Sequence, residues 1–202
     1  MEQAAYHWHI LGGASATETT LRLRNRRLEL SAQDARGLLS ELLAHPLDFT
    51  VGLDDFRRGG ELVKLAILCG AAAHADARTV PVPDTAVLAW GKAGAWRENL
   101  AYWHDYIANG REIGSARLFV GTLPSIPLCE AAIALGLNGP GYYLDAPSGL
   151  LPDEAEHLMT DDASLARVLL LIRKGHEMRV FLLGRGEQRT ASDAETVRNA
   201  AG

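Results

Sequence analysis

The chain is poor in most of the features that announce a function. It has only two cysteines, Cys69 and Cys129, each within an apolar stretch, and it contains no CxxC or HxxxH spacing. A disulfide scaffold is thereby excluded, no zinc-type ligand set emerges, and both thiols are expected to be small buried groups in a reducing compartment. The seven histidines are scattered. His7 and His9 alternate on one expected strand, but no metal site and no cofactor is expected. Positive charge is not in excess: 20 Lys and Arg against 25 Asp and Glu leave a net charge of −5, which argues against a nucleic-acid binder. No apolar run approaches the roughly 20 residues that span a bilayer. The opening MEQAAYHWHI carries Glu2 and lacks a basic segment followed by an apolar one, so no secretory leader is expected and a cytoplasmic location is. There is no low-complexity segment and no evident repeat.

What is present suits one domain: 202 residues, 48% of them hydrophobic, can build a single real core. Ala5 to Leu11 reads as a strand ending at Gly12-Gly13. Thr19 to Leu30 (TTLRLRNRRLEL) alternates leucine with charge, as a half-buried hairpin does. Its arginines, Arg22, Arg24, Arg26 and Arg27, are the densest basic cluster, either a solvated sheet face or a docking patch for an acidic partner. Ser31 is expected to open a helix, with Asp34 in an imperfect capping box, an apolar face of Leu38, Leu39, Leu42 and Leu43, and Pro46 as its stop. Glu61 to Ala75 is a helix apolar nearly all round, hence buried between layers.

After a loop at Pro81, Pro83 and Asp84, Thr85 to Trp90 reads as a short buried strand stopped by Gly91 and Gly94. Trp96 to Asn109 is an amphipathic helix with Leu100, Trp103 and Ile107 on one side. Ile126 to Leu135 is an apolar helix leaving through Gly136 and Gly139, and Tyr142 to Asp145 is a strand. Asp153 to Met159 forms one or two helical turns. Ser164 to Lys174 is expected to be a helix: Asp161 and Asp162 precede it, Arg173 and Lys174 end it in the sense of the helix dipole, and Gly175 caps it. Met178 to Leu183 is a buried strand. Residues 1–190 are expected to form the domain and 191–202 a polar C-terminal tail, a weak helix or disordered. The four tryptophans (8, 90, 96, 103) are expected in the core, in helix packing or at an interface. Strands alternating with apolar helices indicate α/β layers around a sheet with parallel members.

The run from Gly121 to Gly149, GTLPSIPLCEAAIALGLNGPGYYLDAPSG, reads as loop, helix, Gly-Pro turn, short strand and sharp turn. Thr122-Leu123-Pro124, Ala132 to Leu135, Gly136-Leu137-Asn138-Gly139-Pro140 and Tyr142-Tyr143-Leu144-Asp145-Ala146-Pro147-Ser148 carry a resemblance. So, further on, do Ile172-Arg173-Lys174-Gly175 and Phe181-Leu182-Leu183-Gly184-Arg185-Gly186-Glu187. Together they resemble the N-terminal half of a β-ketoacyl synthase. The likeness is specific over 121–149, fair over 164–187 and vague before 85. It implies a thiolase-like half, a layered α/β fold on a mixed, mostly parallel sheet.

In that family the turn presents a catalytic cysteine, whose thiolate is both a good nucleophile and a good leaving group for acyl transfer. Counted from Gly139-Pro140, Ser148 occupies its place. The two histidines that assist condensation belong to a C-terminal half, which the chain, ending soon after Gly186, is expected to lack. Leu151 to Asp161 looks like an insertion, and Pro147 and Gly149 alter the turn, so no helix is expected to begin at the nucleophile position. The local sequence is not a G-x-S-x-G elbow. Asp145 with His157 or His104 would be the pair to activate Ser148, and Cys129 the substitute nucleophile; no residue is assigned as catalytic. Leu123, Pro124, Cys129, Gly139, Pro140, Tyr142, Tyr143 and Asp145 are the candidates for lining an interface or an acyl site.

The resemblance implies a non-condensing ketosynthase-like subunit of fatty-acid or polyketide-type biosynthesis, similar to chain-length-factor partners such as those of aryl polyene synthesis. It would pair with a full-length ketosynthase, or with itself, shape the acyl site and meet an acyl carrier protein. The alternatives are an acyltransferase or thioesterase-like enzyme using Ser148, and a stand-alone acyl-binding homodimer. A lone half would leave the helices 61–75 and 126–135 as an exposed apolar layer, and the strand at Tyr142 to Asp145 near a subunit contact.

Overall fold

The structure, a computed structural model, describes residues 8–92, 94–110, 115–186 and 191–202. Seven strands form one sheet: β1 (Trp8–Ala16), β2 (Thr20–Leu23), β3 (Glu29–Ser31), β4 (Thr85–Gly91), β5 (Gly141–Leu144), β6 (Arg167–Lys174) and β7 (Glu177–Arg185), in the order β3-β2-β1-β7-β6-β4-β5. β4 pairs in parallel with β5 and β6, and the other pairings are antiparallel. Five strands, β1, β3, β4, β5 and β6, therefore share one direction, and β2 and β7 run the other way.

Successive side chains of a strand point to opposite faces, and here both faces are apolar. Val87 and Ala89 of β4, with Leu169 and Leu171 of β6, enter a core roofed by α1 (Ala35–Ala44), α2 (Asp54–Arg58), α3 (Glu61–Ala77) and α6 (Ile126–Leu135). Leu88 and Trp90, with Val168, Leu170 and Ile172, enter a second core under α7 (Leu151–Asp161) and α8 (Ala191–Ala201). Buried on both sides, central strands read as continuous apolar runs. α3 contributes thirteen buried residues and lies directly on β1. A Cβ at Gly12 would sit 2.6 Å from both the Ala73 carbonyl oxygen and the Ala77 nitrogen, so glycine is what permits that approach.

Several expectations need correction. Residues 167–174 are strand β6, not helix. Their five consecutive apolar residues, Val168 to Ile172, are divided between the two cores, a burial that a helix would achieve only if enclosed on all sides. Gly175, at φ 62°, turns the β6–β7 hairpin instead of capping a helix. Ser31 is the last residue of β3, and the N-cap of α1 is Asp34, whose side chain accepts from the Gly37 N–H at 2.8 Å. β1 runs on through Gly12-Gly13 to Ala16; residues 5–7 and Glu187 lie outside the described residues. The C-terminal stretch is helical and packed, with Ala194, Val197, Ala200 and Ala201 buried. Asp193 in its first turn accepts from the Ile10 N–H at 3.2 Å, which ties α8 to β1.

Of the expected bare layer, helix 61–75 is covered, because α3 is enclosed by α1, α2 and α6, whereas α6 leaves Ile133 65% exposed. Apolar exposure concentrates instead on α4 (Trp96–Asn109), which has no buried residue, and α5 (Ala116–Gly121). Trp96, Trp103, Ile107 and Phe119 are 66%, 55%, 63% and 53% exposed. No helix among the described residues is long and apolar enough to cross a membrane.

Candidate functional site

The Gly-Pro turn fixes where β5 goes. The Asn138 and Gly139 N–H groups both donate to the Pro83 carbonyl, at 2.8 and 3.1 Å, and the Val87 N–H donates to the Pro140 carbonyl at 2.9 Å. A Cβ at residue 139 would lie 2.4 Å from the Thr85 carbonyl oxygen, so no larger residue fits this staple. β5 is thereby set parallel to β4, and the chain continues past the strand ends into residues 145–148. Trp90 Nε1 donates to the Ala146 carbonyl at 2.7 Å, and Trp8 Nε1 to the Pro152 carbonyl at 3.3 Å. Two buried indoles thus anchor the turn and the start of α7, while Trp96 and Trp103 lie exposed on α4.

Ser148 opens a single 3-10 turn, Ser148–Leu150, that runs without a break into α7. Leu151 to Asp161 is helix α7: Pro152, at the helix start, needs no N–H partner there, and Leu151, Pro152, Ala155 and Met159 bury its inner face. The strand–turn–helix arrangement around the nucleophile position is present. A base is not: among the described residues the Ser148 hydroxyl has no hydrogen-bonded partner, and Asp145, His104 and His157 are exposed with no bond to it. An unassisted serine hydroxyl is a weak nucleophile. Cys129 is exposed on α6 rather than buried. Cys69 is buried in α3, its Sγ donates to the Met178 carbonyl at 3.5 Å, and burial pushes its thiol well up, away from thiolate character.

An apolar cavity of about 80 Å³ lies at the ends of β4 and β6 where α3 begins. Val63, Ala89, Leu123, Pro124, Tyr143 and Met178 are among its walls. Tyr143 Oη donates to the Gly91 carbonyl at 2.7 Å; burial first, then the nearby Asp145 carboxylate, pushes its phenol up, so it acts as a neutral donor. At the rim, Arg173 Nη1 donates to the Gly94 carbonyl at 3.0 Å and to the Glu98 carboxylate at 3.3 Å. A water needs roughly 10–15 Å³ of such space, so the cavity has room for only a few small groups. Of the sequence candidates, Leu123, Pro124 and Tyr143 meet here. Gly139 and Pro140 hold the β4–β5 junction, and Tyr142 and Asp145 are exposed on and just after β5, whose outer edge is unpaired among the described residues. The Arg173–Glu98 pair and the two anchoring tryptophans were not read as site residues.

Against the cavity sits the exposed α4–α5 unit. Asn99 Nδ2 donates to the Ala95 and Thr122 carbonyls, at 2.8 and 3.2 Å, tying the two helices. Tyr102 meets Phe119 edge-on at 5.6 Å, and Trp103 stacks on Tyr106 at 5.8 Å. Ala95, Glu98 and Leu123 belong both to this unit and to the cavity wall. Elsewhere Glu18, Glu61 and His176 come together at the surface. Arg97 lies against the His176 ring, donates to whichever ring nitrogen is unprotonated and places a cation beside the group, and burial and the Glu18 carboxyl push the Glu61 carboxyl up, a poor arrangement for a metal. His7 lies outside the described residues.

No protein-family model matches the chain, and no curated protein matches it. Solved structures do. A chain of the ishigamide ketosynthase/chain length factor superposes with a TM-score of 0.60 at 13% identity, over 90% of this chain and 63% of that one. A chain of the ketosynthase ApeO in complex with its chain length factor ApeC, from Xenorhabdus doucetiae, gives 0.54 at 15% identity, over 98% and 91%. A β-ketoacyl synthase from Burkholderia phymatum STM815 gives 0.58 at 12% identity, over 90% and 60%. The chain thus spans less than two thirds of the first and third and about nine tenths of the second. These superpositions show the fold: the chain is built on the thiolase-like fold of ketosynthases and chain length factors.

Proposed function

We propose that the chain is a non-condensing, ketosynthase-like subunit of a fatty-acid or polyketide-type pathway that pairs with an active ketosynthase in the cytoplasm and shapes its acyl site. One observation carries this reading: Trp96, Trp103, Ile107 and Phe119 lie exposed on α4 and α5, and the same unit reaches the small apolar cavity through Glu98 and the half-exposed Leu123. A partner seated on that face would cover apolar surface of the kind that marks interfaces, and would at once become a wall of the space beside Leu123. The unpaired edge of β5, with Tyr142 exposed on it, offers a second strip of contact. Among the described residues no base hydrogen-bonds the Ser148 hydroxyl, which supports a subunit that does not condense. Chain length factors are solved together with ketosynthases among the structural neighbours, and an acyl carrier protein appears in complex with a ketosynthase.

The test is co-expression with a full-length ketosynthase from the same source. A tagged chain should retain that enzyme on purification, and Trp103→Glu with Ile107→Glu should release it. Retention unaffected by the double substitution, or no retention by the native chain, would overturn the proposal. A second reading, acyl transfer at Ser148, is favoured by the strand–turn–helix placement of that residue. Intact mass after incubation with acyl carrier thioesters decides it: an adduct lost in Ser148→Ala establishes that reading, and its absence removes it.

A further inference from the structure

The ends of β4 and β6 each deliver a lysine. Gly91 and Arg173 pair at the ends of these parallel strands, and Lys92 and Lys174 come next on each chain segment. Parallel neighbours lie about 5 Å apart and alternate residues share a face. Both lysines therefore leave on the face of Trp90 and Ile172, the one under α8. Like charges side by side on a sheet repel. Both lysines are exposed, and neither pairs with an acidic side chain among the described residues. Glu177, opposite Lys174 in the β6–β7 ladder, is taken by Arg179 at 2.7 Å. With Arg97 and Arg173 the two lysines line a pocket of about 350 Å³, walled also by Trp90 and the exposed Trp96. The end of α8 closes one side through Ala201 and Gly202, and no ion pair joins Gly202 to a cation among the described residues. Among the described residues no aspartate or glutamate side chain lines this pocket. Arg97 lies against His176 and Arg173 is held by Glu98, so the lysines carry the unmatched charge.

We propose that this pocket binds a small amphipathic carboxylate, its charged group held by Lys92 and Lys174 and its apolar body against Trp96. The volume falls in the range of small-molecule sites, which are mostly apolar with a few placed polar groups. A bare inorganic anion would meet the lysines and leave the indole wall unused. A thioester carbonyl carries no charge for the lysines to meet, so the ligand is a free acid and not an acyl group held on a carrier. Trp90 and Arg173 also line the cavity of about 80 Å³, so the two spaces share a wall. They differ in chemistry: the cation at the cavity rim is matched by Glu98, and the lysines of the pocket are matched by no acidic side chain among the described residues. Trp96 belongs as well to the α4–α5 face offered to a partner, so binding is read on the chain alone, and the site does not rest on the pairing proposed above.

The experiment is calorimetric titration of the chain with sodium hexanoate at low and high salt, with sodium acetate and 1-hexanol as the charged group and the apolar body alone. Hexanoate should bind, more weakly as salt rises, and about tenfold or more tighter than acetate or hexanol. Lys92→Glu with Lys174→Glu should weaken it by about tenfold or more, the loss expected when charged hydrogen bonds are removed. Lys92→Gln with Lys174→Gln, which removes the charge without reversing it, should weaken it in the same direction with an unchanged circular dichroism spectrum. Trp96→Ala should weaken it too. Arg57→Glu with Arg58→Glu, two exposed arginines of α2, should leave it within about twofold. No binding by the native chain, or acetate or hexanol binding as tightly as hexanoate, would overturn the proposal. So would an affinity unchanged in the lysine variants, which would place hexanoate on apolar surface elsewhere, or an equal loss in the α2 control. Ketosynthase pairing is a separate readout: its failure in the native chain leaves the pocket standing, and failure of hexanoate to bind leaves the pairing standing.

Discussion

His74 lies fully buried on α3, its ring meeting Phe49 edge-on at 5.9 Å, and neither ring nitrogen has a hydrogen-bond partner among the described residues. Burial, and after it the positive charge of Arg167, lowers its pKa from 6.5 to about 4. An unfolded chain takes up this proton near pH 6.5, whereas the folded chain resists it until about pH 4. Between those values the unfolded state binds more protons, so stability rises with pH and is lost on acidification. A gap of roughly 2.5 units, at about 1.4 kcal/mol each, makes the loss about 3 kcal/mol by pH 4. The assay is urea unfolding from pH 7.5 down to pH 4, read as the difference between native and His74→Leu proteins, so that titrations common to both cancel. Leucine of similar volume removes two unsatisfied polar atoms, so the variant should be as stable at pH 7 or more stable by about 1 kcal/mol. Its stability should also fall less steeply with acid. Parallel pH curves for the two proteins, or a cost of several kcal/mol at pH 7, would refute the reasoning.

Gly139→Ala drives a methyl into the Thr85 carbonyl and should cost about 1–3 kcal/mol in denaturant unfolding. Trp90→Phe removes the indole bond to Ala146 while keeping the ring. It should cost about 1 kcal/mol and raise amide hydrogen exchange over residues 145–150 selectively. Asp76→Ala strands three backbone donors in a buried place and should cost about 3 kcal/mol or more, measured by thermal and urea unfolding.

The helices were legible where their ends are punctuated. Trp96–Asn109 and Ile126–Leu135 stand as read, because glycines flank the first and a Leu-Pro-Ser entry and Gly136 bound the second. β6 was not legible. Five apolar residues between charged ends satisfy a helix dipole and a central strand equally, and only pairing with β4 and β7 decides between them. α7 was only half legible, as one or two turns, because its residues Asp153, Glu154, Glu156 and His157 are polar, which hides an inner face of Leu151, Ala155 and Met159 that packs in the core with Trp8. The apolar stripe on α4 was visible, but a stripe does not say what covers it, and within this chain nothing described does. Of the cavity, Leu123, Pro124 and Tyr143 could be named from the Gly-Pro segment. Val63, Met178 and Arg173 could not, since they arrive from α3, β7 and β6 through sheet order alone.

The central claim, that this subunit shapes a partner's acyl site, is tested most directly by the products of the paired ketosynthase. The enzyme should be assayed by mass spectrometry of acyl chains made with the native chain, without it, and with Leu123→Trp, a half-exposed position on the cavity rim. The account predicts that product length depends on the chain and shortens with the tryptophan. An identical product distribution in all three cases would contradict it.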